Sequence, residues 1–265
     1  MITLEKTKVY GWEEAIRGMR NPMNSWERSD SFECVKHVPV FGECEDCPLN
    51  HGEEPHNRCV RGDIPYIVGE NDHDLMMKLA AGGPVHAKYR RMITVYVDIT
   101  APLYWWKEFD TYKVGTVANS CSTMHKIHAK KFDLNDFSLE HLSDIHDSKY
   151  PLNITPISMM EYVIDMLNIC RDKYLETKDK KYWWQMIQLL PSSYNQKRTV
   201  MLNYEVLAGI YPSRKDHKLD EWHDFCHWVE SLPYSEIITG SESVKMAELG
   251  KYVVDGFLDG IKGDK

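Results

Sequence analysis

The sequence has no long apolar run and no excess of positive charge. No stretch approaches the ~20 consecutive apolar residues that a helix needs to cross a bilayer, and the opening residues, MITLEKTKVY, lack the apolar core of a secretory signal. We therefore expect a cytoplasmic protein without a membrane partner. With 32 Lys and Arg against 40 Asp and Glu, a net charge of −8, the chain also lacks the basic field that binding to duplex nucleic acid requires.

Cysteine occurs in an odd number, seven, and no internal repeat or change of composition divides the chain. An odd number fits reduced thiols or metal ligands better than a disulfide framework. A chain of 265 residues can bury one large core or two smaller ones. We expect a single domain over residues 1–265, with a Cys/His-rich insert at about residues 34–60.

The insert carries four cysteines and three histidines in a segment that is otherwise polar and rich in glycine and proline. A Cys-x2-Cys pair followed by a His-x2-Cys pair has the spacing of a small structural zinc site, which would order a segment with few apolar residues. The alternative is a solvated loop with reduced structural cysteines. The predicted ligands are Cys44, Cys47, His56 and Cys59.

The middle of the chain, residues 85–125, has the most regular pattern. Apolar residues alternate with polar ones from Ile93 to Ile99, which predicts a strand with one buried face. Pro102 then suits the first turn of a helix, and apolar residues recur at helical spacing as far as Phe109. The helix leads into a loop of small hydroxyl and amide side chains, which favours the binding of phosphate or carbonyl groups.

Apolar residues at helical spacing predict further helices on both sides of this stretch. A proline at position 212 is expected to end one of them. The predicted helices cover about residues 12–19, 72–80, 160–174, 183–190, 203–211 and 219–229, with a weaker one in the tail, 242–265.

A few charged or nucleophilic residues outside the loop are weaker candidates. Arg17 and Arg20 could hold an anion, although exposed arginines beside a turn are common. His223 and His227 have the spacing of a helical metal pair but lack the glutamate of the His-Glu-x-x-His order. Cys121 lies in the loop without an evident base, so a packing role is preferred to a nucleophilic one.

The order of strand, Ala-Pro, Trp-rich helix and the loop TYKVGTVANSCSTMH resembles the core of the flavin-dependent thymidylate synthases. That family carries the motif Arg-His-Arg-x-x-Ser-x-Asn-Glu-x-Ser-x-Arg-Tyr at this place. The later segment LPSSYNQKRTVMLNYEVLAGIYPSR is similar to the family's run from Leu-Pro, through an Asn-x-Arg helix, to a substrate-binding arginine. The resemblance covers about residues 85–230.

Residue by residue, the resemblance implies two groups of site residues. Those expected to face the flavin occupy motif positions or lie in the basic stretch before the strand, where Arg90 could compensate for missing motif cations. His86 could be a ligand or a proton carrier, although a lone histidine is more often structural. The residues expected to face the nucleotide are Arg214, Ser122 and Ser192, the last of which lies in a second hydroxyl-rich turn. Arg214 and Ser122 are also expected to have catalytic roles. The flavin group consists of Lys113, Thr116, Asn119, His86 and Arg90.

The chain also departs from the motif at several positions that carry charge in the family. Thr111 and Tyr112 replace its first Arg-His, and Ser120 replaces its glutamate. Met124 and His125 replace its Arg-Tyr, and Glu205 stands where the later helix has arginine. Each lost charge-assisted contact typically costs ~1.5 to 3 kcal/mol.

The resemblance implies an α+β fold, a central twisted sheet flanked by helices, assembled as a homotetramer with active sites shared between subunits. It implies methylation or hydroxymethylation of the uracil ring of dUMP, for dTMP biosynthesis, with FAD as cofactor, methylenetetrahydrofolate as carbon donor and NADPH as reductant. One alternative is a degenerate homologue that binds a pyrimidine nucleotide without turnover. Another is a zinc-stabilised interaction module.

Overall fold

The computed structural model describes residues 2–33, 66–147, 149 and 154–240. The strands are β1 Thr3–Tyr10, β2 Phe32–Glu33, β3 Tyr66–Ile67, β4 Thr94–Pro102, β5 Val117–Ser120 and β6 Asn195–Asn203. The helices are α1 Trp12–Arg20, α2 Glu70–Ala81, α3 Leu103–Phe109, α4 Thr123–Lys126, α5 Pro156–Thr177, α6 Lys180–Leu189, α7 Tyr204–Arg214, α8 Asp220–Glu230 and α9 Glu236–Thr239.

Four strands form one antiparallel sheet in the order β1-β4-β6-β5. The predicted alternation in β4 is confirmed, because Val95, Val97 and Ile99 are at most 1% exposed. These side chains join the helices in one core, whereas Tyr10 and Tyr96 on the other face are about half exposed. The predicted α+β fold, a sheet flanked by helices, is therefore confirmed.

Helix α3 packs its large side chains against α8. Trp105 and Trp106 are at most 1% exposed, and the ring centroid of Trp105 lies 4.8 Å from that of Trp222. Phe109, the last residue of α3, stacks on Trp105 at 5.0 Å and contacts Phe225. Burying one such side chain contributes ~1.5 to 3 kcal/mol. The end of α3, where the loop of the sequence motif begins, is thus firmly held.

Helices α5 and α6 form a hairpin over a smaller second cluster. Leu167 and Met186 are fully buried there, against Phe132 and Phe137. Of the two tryptophans of α6, Trp183 packs against this cluster, whereas Trp184 is 46% exposed. The reason is that α6 covers only one side of this small cluster, so a large ring on its other side meets solvent.

The structure corrects the predicted secondary structure at several places, among them strand β1, which the sequence pattern did not predict. Residues 195–203 form strand β6, which the sequence analysis did not identify, and residues 117–120, expected in a loop, form the edge strand β5. Strand β6 pairs with β4, and β5 pairs with β6, so sheet pairing determines the conformation of both segments. Helix α7 also continues through Pro212, because the contacts of Arg214 described below hold its last turn.

Arg20 takes part in a buried ion pair, so the prediction that it could hold an external anion is wrong. The side chain is 4% exposed, and its Nε lies 2.5 Å from Oδ1 of Asp72, which is fully buried. The other carboxylate oxygen accepts the hydroxyls of Ser29 and Ser31 at 2.7 and 2.6 Å. The guanidinium is therefore neutralised inside the protein, where it joins α1, α2 and the segment between them.

The Cys/His-rich insert lies outside the described residues, and so do its predicted zinc ligands Cys44, Cys47, His56 and Cys59. The described chain on either side of the insert pairs as a short ribbon, β2 with β3. Within the described ranges, no group of three or more His, Cys, Asp or Glu side chains could hold a metal ion. The predicted helix in the tail, 242–265, is likewise outside these ranges.

Candidate functional site

Arg214, at the last residue of α7, is held against the end of α3. Its Nη1 donates to Oε2 of Glu108 at 2.6 Å, and its Nε donates to the hydroxyl of Tyr112 at 2.8 Å. The guanidinium carbon lies 4.5 Å from the ring centroid of Trp222, in a cation–π contact. With the side chain 15% exposed, Arg214 is a pre-oriented cation at the border of the core.

Glu108 is the common acceptor at this point. The same oxygen that binds Arg214 also accepts Nε1–H of Trp222 at 3.0 Å, and Nε2 of His217 lies 3.4 Å from it. A carboxylate with several donors fixes their positions relative to one another. Glu108 therefore links the last turn of α3, the end of α7 and the start of α8 into one polar cluster at the surface.

The loop after α3 packs on the start of α7. Gly115 has φ of +79°, and a Cβ built on it would lie 3.1 Å from Nδ2 of Asn203 and 3.1 Å from Cγ2 of Val206. Asn203 itself caps α7, since its side chain accepts the backbone N–H of Val206 at 3.0 Å. The two segments that carry the sequence resemblance, about ninety residues apart, therefore meet in space.

We expect Gly115→Ala to lower the thermal stability of the protein. The left-handed backbone costs a non-glycine residue ~1 to 2 kcal/mol, and the added methyl group would press on Asn203 and Val206. Gly209→Ala is the matched control, because a Cβ there meets nothing within 4 Å in the middle of α7; alanine should raise stability by ~0.5 to 1 kcal/mol. Thermal denaturation measures the stability of both variants. A Gly115→Ala variant as stable as wild type would contradict the close packing.

Two predicted flavin residues of this loop, Thr116 and Lys113, have polar groups without a partner in the described protein. The Thr116 hydroxyl is buried and has no hydrogen-bond partner in the described structure. Lys113 is exposed and makes no ion pair within the described ranges. Buried polar atoms are normally paired, so an unpaired hydroxyl beside a free ammonium group fits a bound polar or anionic group.

The edge strand β5 presents the remaining motif residues to solvent. Asn119 lies opposite Thr199 of β6, and Ser120 and Cys121 follow it, all exposed. Ser122 caps the short helix α4, its hydroxyl accepting the backbone N–H of His125 at 3.0 Å. The edge of the sheet is thus lined with hydroxyl, amide and thiol groups, as the sequence analysis expected of this stretch.

Ser122 and Arg214 make no hydrogen bond to each other within the described chain. The carbonyl oxygen of Ser192 accepts the backbone N–H of Tyr104 at 3.0 Å, one helical turn before Glu108, which holds Arg214. The structure thus brings Arg214 against Tyr112, at the start of the loop. The role of Ser192 in binding the nucleotide stays a prediction.

A second arginine, Arg198, lies at the end of α3 and was not singled out by the sequence pattern. Arg198 of β6 faces Ser120 across the sheet edge, and its Nη1 donates to Oδ1 of Asp110 at 2.8 Å. Asp110 is the C-cap of α3, two residues after Glu108. A period-two pattern through Gln196, Arg198 and two apolar residues could have placed Arg198 on the helix-covered face of a strand.

Arg90, predicted as a cation for the cofactor, is instead used within the protein. Its side chain is 9% exposed; its Nε donates to Oε2 of Glu205 at 2.8 Å and its Nη1 to the carbonyl of Ile237 at 3.1 Å. The predicted role is corrected accordingly, because Glu205 neutralises the charge. His86 is exposed beside Gly82 and has no contact with the loop or Arg214 in the described structure.

The thiol and the two histidines of α8 do not form a second reactive centre. Burial raises the pKa of Cys226 to about 12, with further contributions from Glu230 and Asp216, so this thiol is protonated at neutral pH. His223 lies 3.7 Å from Asp220, and the predicted metal pair with His227 gains no further ligand within the described ranges. The candidate site is therefore the surface formed by the end of α3, the loop, β5 and α7.

No family model and no curated protein sequence matches this chain. Solved structures match it by fold. Thymidylate synthase X from Helicobacter pylori, crystallised with FAD and dUMP, superimposes with a TM-score of 0.54 at 14% identity, covering 89% of this chain and 94% of that one. The chain has the fold of the flavin-dependent thymidylate synthases. A further structure of the Helicobacter pylori enzyme gives a TM-score of 0.53 at 15% identity, over 88% and 96%.

The same fold occurs in a protein that acts on a related pair of nucleotides. The UMP/dUMP methylase PolB from Streptomyces cacaoi, bound with 5-bromo-UMP, has a TM-score of 0.53 at 10% identity and covers 90% of this chain and 94% of that one. The thymidylate synthase-like fold thus extends over nearly all of each chain. No helix in the described ranges has the length and apolar character of a membrane span.

Proposed function

We propose that this protein is a flavin-dependent enzyme that methylates or hydroxymethylates the uracil ring of dUMP. The supporting observation is that the loop after α3 and the helix α7 meet at Gly115 and Asn203, with Arg214 held beside Tyr112. These are the two segments whose residues resemble the family. In this proposal methylenetetrahydrofolate supplies the carbon and NADPH the reducing equivalents, for dTMP biosynthesis in the cytoplasm.

In this proposal the loop holds a flavin nucleotide. The unpaired hydroxyl of Thr116 and the exposed ammonium of Lys113 are the groups that a polar, anionic cofactor would satisfy. Asn119 adds an exposed amide on the neighbouring strand. Bound flavin supplies hydride transfer, chemistry that no side chain provides. The chain's own task is then to hold and orient the ligands.

Arg214 acts as the principal donor to the nucleotide in this proposal. Two of its five N–H groups are used by Glu108 and Tyr112, and these bonds fix the direction of the remaining ones. A guanidinium that is already oriented can stabilise negative charge developing on the uracil ring without reorganisation. No covalent protein nucleophile is required in this proposal.

Ser122 is proposed to reach the same nucleotide from a neighbouring subunit. Within one described chain its hydroxyl caps α4 and makes no hydrogen bond to Arg214. A homotetramer with shared sites, as the resemblance implies, would let the two residues meet one ligand from different chains. We propose this homotetrameric assembly together with the function.

The absorbance spectrum of the purified protein tests the cofactor part of this proposal. A flavin band, or its appearance after incubation with FAD and removal of free cofactor, is expected, followed by conversion of dUMP in the presence of methylenetetrahydrofolate and NADPH. The mass of the product distinguishes a methyl from a hydroxymethyl group. Protein that stays colourless and takes up no FAD would overturn the assignment as a flavoenzyme.

A degenerate homologue that binds a pyrimidine nucleotide without turnover is the second candidate. The ion pair between Glu205 and Arg90 favours it, because an anion stands where the family's helix has a cation. Under this function dUMP should raise the melting temperature, through binding to the native state, while FAD should not. A shift with both ligands would instead favour the enzyme.

A further inference from the structure

Arg198 is fixed in place from three sides. Its guanidinium carbon lies 4.1 Å from the ring centroid of Trp106, which is 1% exposed. Its Nε donates to Oε1 of Gln196 at 3.0 Å, and its Nη1 donates to Asp110 at 2.8 Å. Its side chain is 15% exposed, and Nη2 has no hydrogen-bond partner in the described part of the protein.

The groups that hold Arg198 are themselves anchored. Gln196 is 9% exposed, and its Nε2 donates to the carbonyl of Cys121 at 2.9 Å. Nε1–H of Trp106 donates to the backbone carbonyl of Gln196, also at 2.9 Å. The end of β5, the start of β6 and helix α3 thus position one guanidinium. Such an arrangement loses little side-chain entropy when an external ligand accepts from it.

The ion pair between Arg198 and Asp110 contributes little to the folding stability of the protein, so stability does not explain why Arg198 is held in place. Asp110 is 46% exposed, and pairs open to solvent typically contribute little to folding. The same exposure lets the Asp110 carboxylate turn into water when another anion approaches Arg198. The pair therefore keeps the cation oriented while leaving it available.

The surroundings of the two arginines differ in a way that assigns them different parts of a nucleotide. Arg214 contacts the rings of Tyr112 and of the fully buried Trp222, so its in-plane N–H groups are what it can offer, and these suit the carbonyl groups of a base. Arg198 lies opposite Ser120 at the sheet edge, where the side chains of Asn119 and Ser120 are exposed. Hydroxyl groups, backbone N–H groups and an arginine are the usual partners of a phosphate.

We propose that Arg198 is a substrate-binding residue that contacts the phosphate group of the nucleotide. It takes the place of cations that this chain lacks at motif positions occupied by Thr111 and Met124. This inference rests on the proposed function, since it presumes a nucleotide at the site. The ligand class is a phosphate monoester, for which a guanidinium supplies two parallel charge-assisted hydrogen bonds.

The test compares dUMP with deoxyuridine, which lacks the phosphate, on the full chain. Equilibrium titration followed by tryptophan fluorescence should show that Arg198→Gln weakens dUMP binding ten- to a hundredfold and changes deoxyuridine binding less than twofold. Lys197→Gln is the control: it removes the same charge next door, where the ammonium pairs with Glu5, and should leave dUMP affinity unchanged. Circular dichroism verifies that each variant is folded.

Other outcomes overturn the proposal. Equal dUMP affinity in Arg198→Gln and wild type, or an equal loss for dUMP and deoxyuridine, would show that Arg198 does not contact the phosphate. If Arg198→Gln does not fold, Arg198→Lys replaces it, with the same selective loss for dUMP expected. Wild-type protein that does not bind dUMP would instead overturn the proposed function, a result distinct from a failure of Arg198 alone.

Discussion

Replacing Arg214 with glutamine is expected to weaken dUMP binding about a hundredfold or more and to remove turnover. The guanidinium is oriented by Glu108 and Tyr112, so the variant loses both the charge and the fixed direction of its donors. A charge-assisted hydrogen bond contributes ~1.5 to 3 kcal/mol, and each ~1.4 kcal/mol corresponds to a tenfold change in affinity. Titration of the purified variants with dUMP measures the effect.

Lys215→Gln provides the matched control for this experiment. It removes one positive charge from the adjacent residue, which is exposed and makes no ion pair in the described structure. Its dUMP affinity should stay within about twofold of wild type, since exposed charges are screened by salt. Equal weakening in both variants would mean that overall charge, and not the oriented guanidinium, governs binding.

Replacing Asp72 with alanine is expected to cause the largest loss of stability, about 3 to 5 kcal/mol. The change removes one partner of a buried ion pair and leaves the guanidinium of Arg20 uncompensated. It also removes the acceptor of two serine hydroxyls and of the backbone N–H groups of residues 30 and 31. Denaturant titration measures the change in the free energy of unfolding.

Asp74→Ala is the control on the same helix, because Asp74 is exposed and has no hydrogen-bond or ion-pair partner in the described structure. Its free energy of unfolding should change by less than about 0.5 kcal/mol. If Asp72→Ala were no more destabilising than Asp74→Ala, the network around Arg20 would contribute nothing to folding.

The same carboxylate gives stability a dependence on pH. Burial alone would raise the pKa of Asp72, but hydrogen bonds from Ser31, Ser29 and Arg20 and the charge of Arg20 lower it below its usual value of 3.8. The folded state therefore binds this proton less tightly than the unfolded state does. The stabilisation is complete above the unfolded pKa and is lost as pH falls through the folded pKa. Asp72→Ala should lack this part of the acid sensitivity.

The sequence predicted the core better than the site. The alternation of Val95, Val97 and Ile99 and the helical spacing of Trp106 and Phe109 record burial directly, so the central strand and helix were predicted correctly. Strand β6 was missed, although the adjoining helix α7 was identified. Its conformation depends on pairing with β4, about a hundred residues earlier, which local spacing does not reveal.

Site residues depend on partners that are distant in sequence. Arg90 has the positive charge expected of a cofactor ligand, but Glu205, 115 residues later, neutralises it. The reverse holds for Arg198, which lies in a segment without a motif yet meets Asp110 from 88 residues earlier. Residue type is visible in the sequence, whereas availability for a ligand is decided by such pairs.

Hydrogen–deuterium exchange, measured by mass spectrometry on the full chain, tests most directly that the loop after α3 and helix α7 form one nucleotide site. Adding dUMP should slow exchange in peptides covering residues 112–122 and 203–214 together, while peptides from α5, residues 156–177, stay unchanged. Unchanged exchange in both segments, or protection confined to other parts of the chain, would contradict this account.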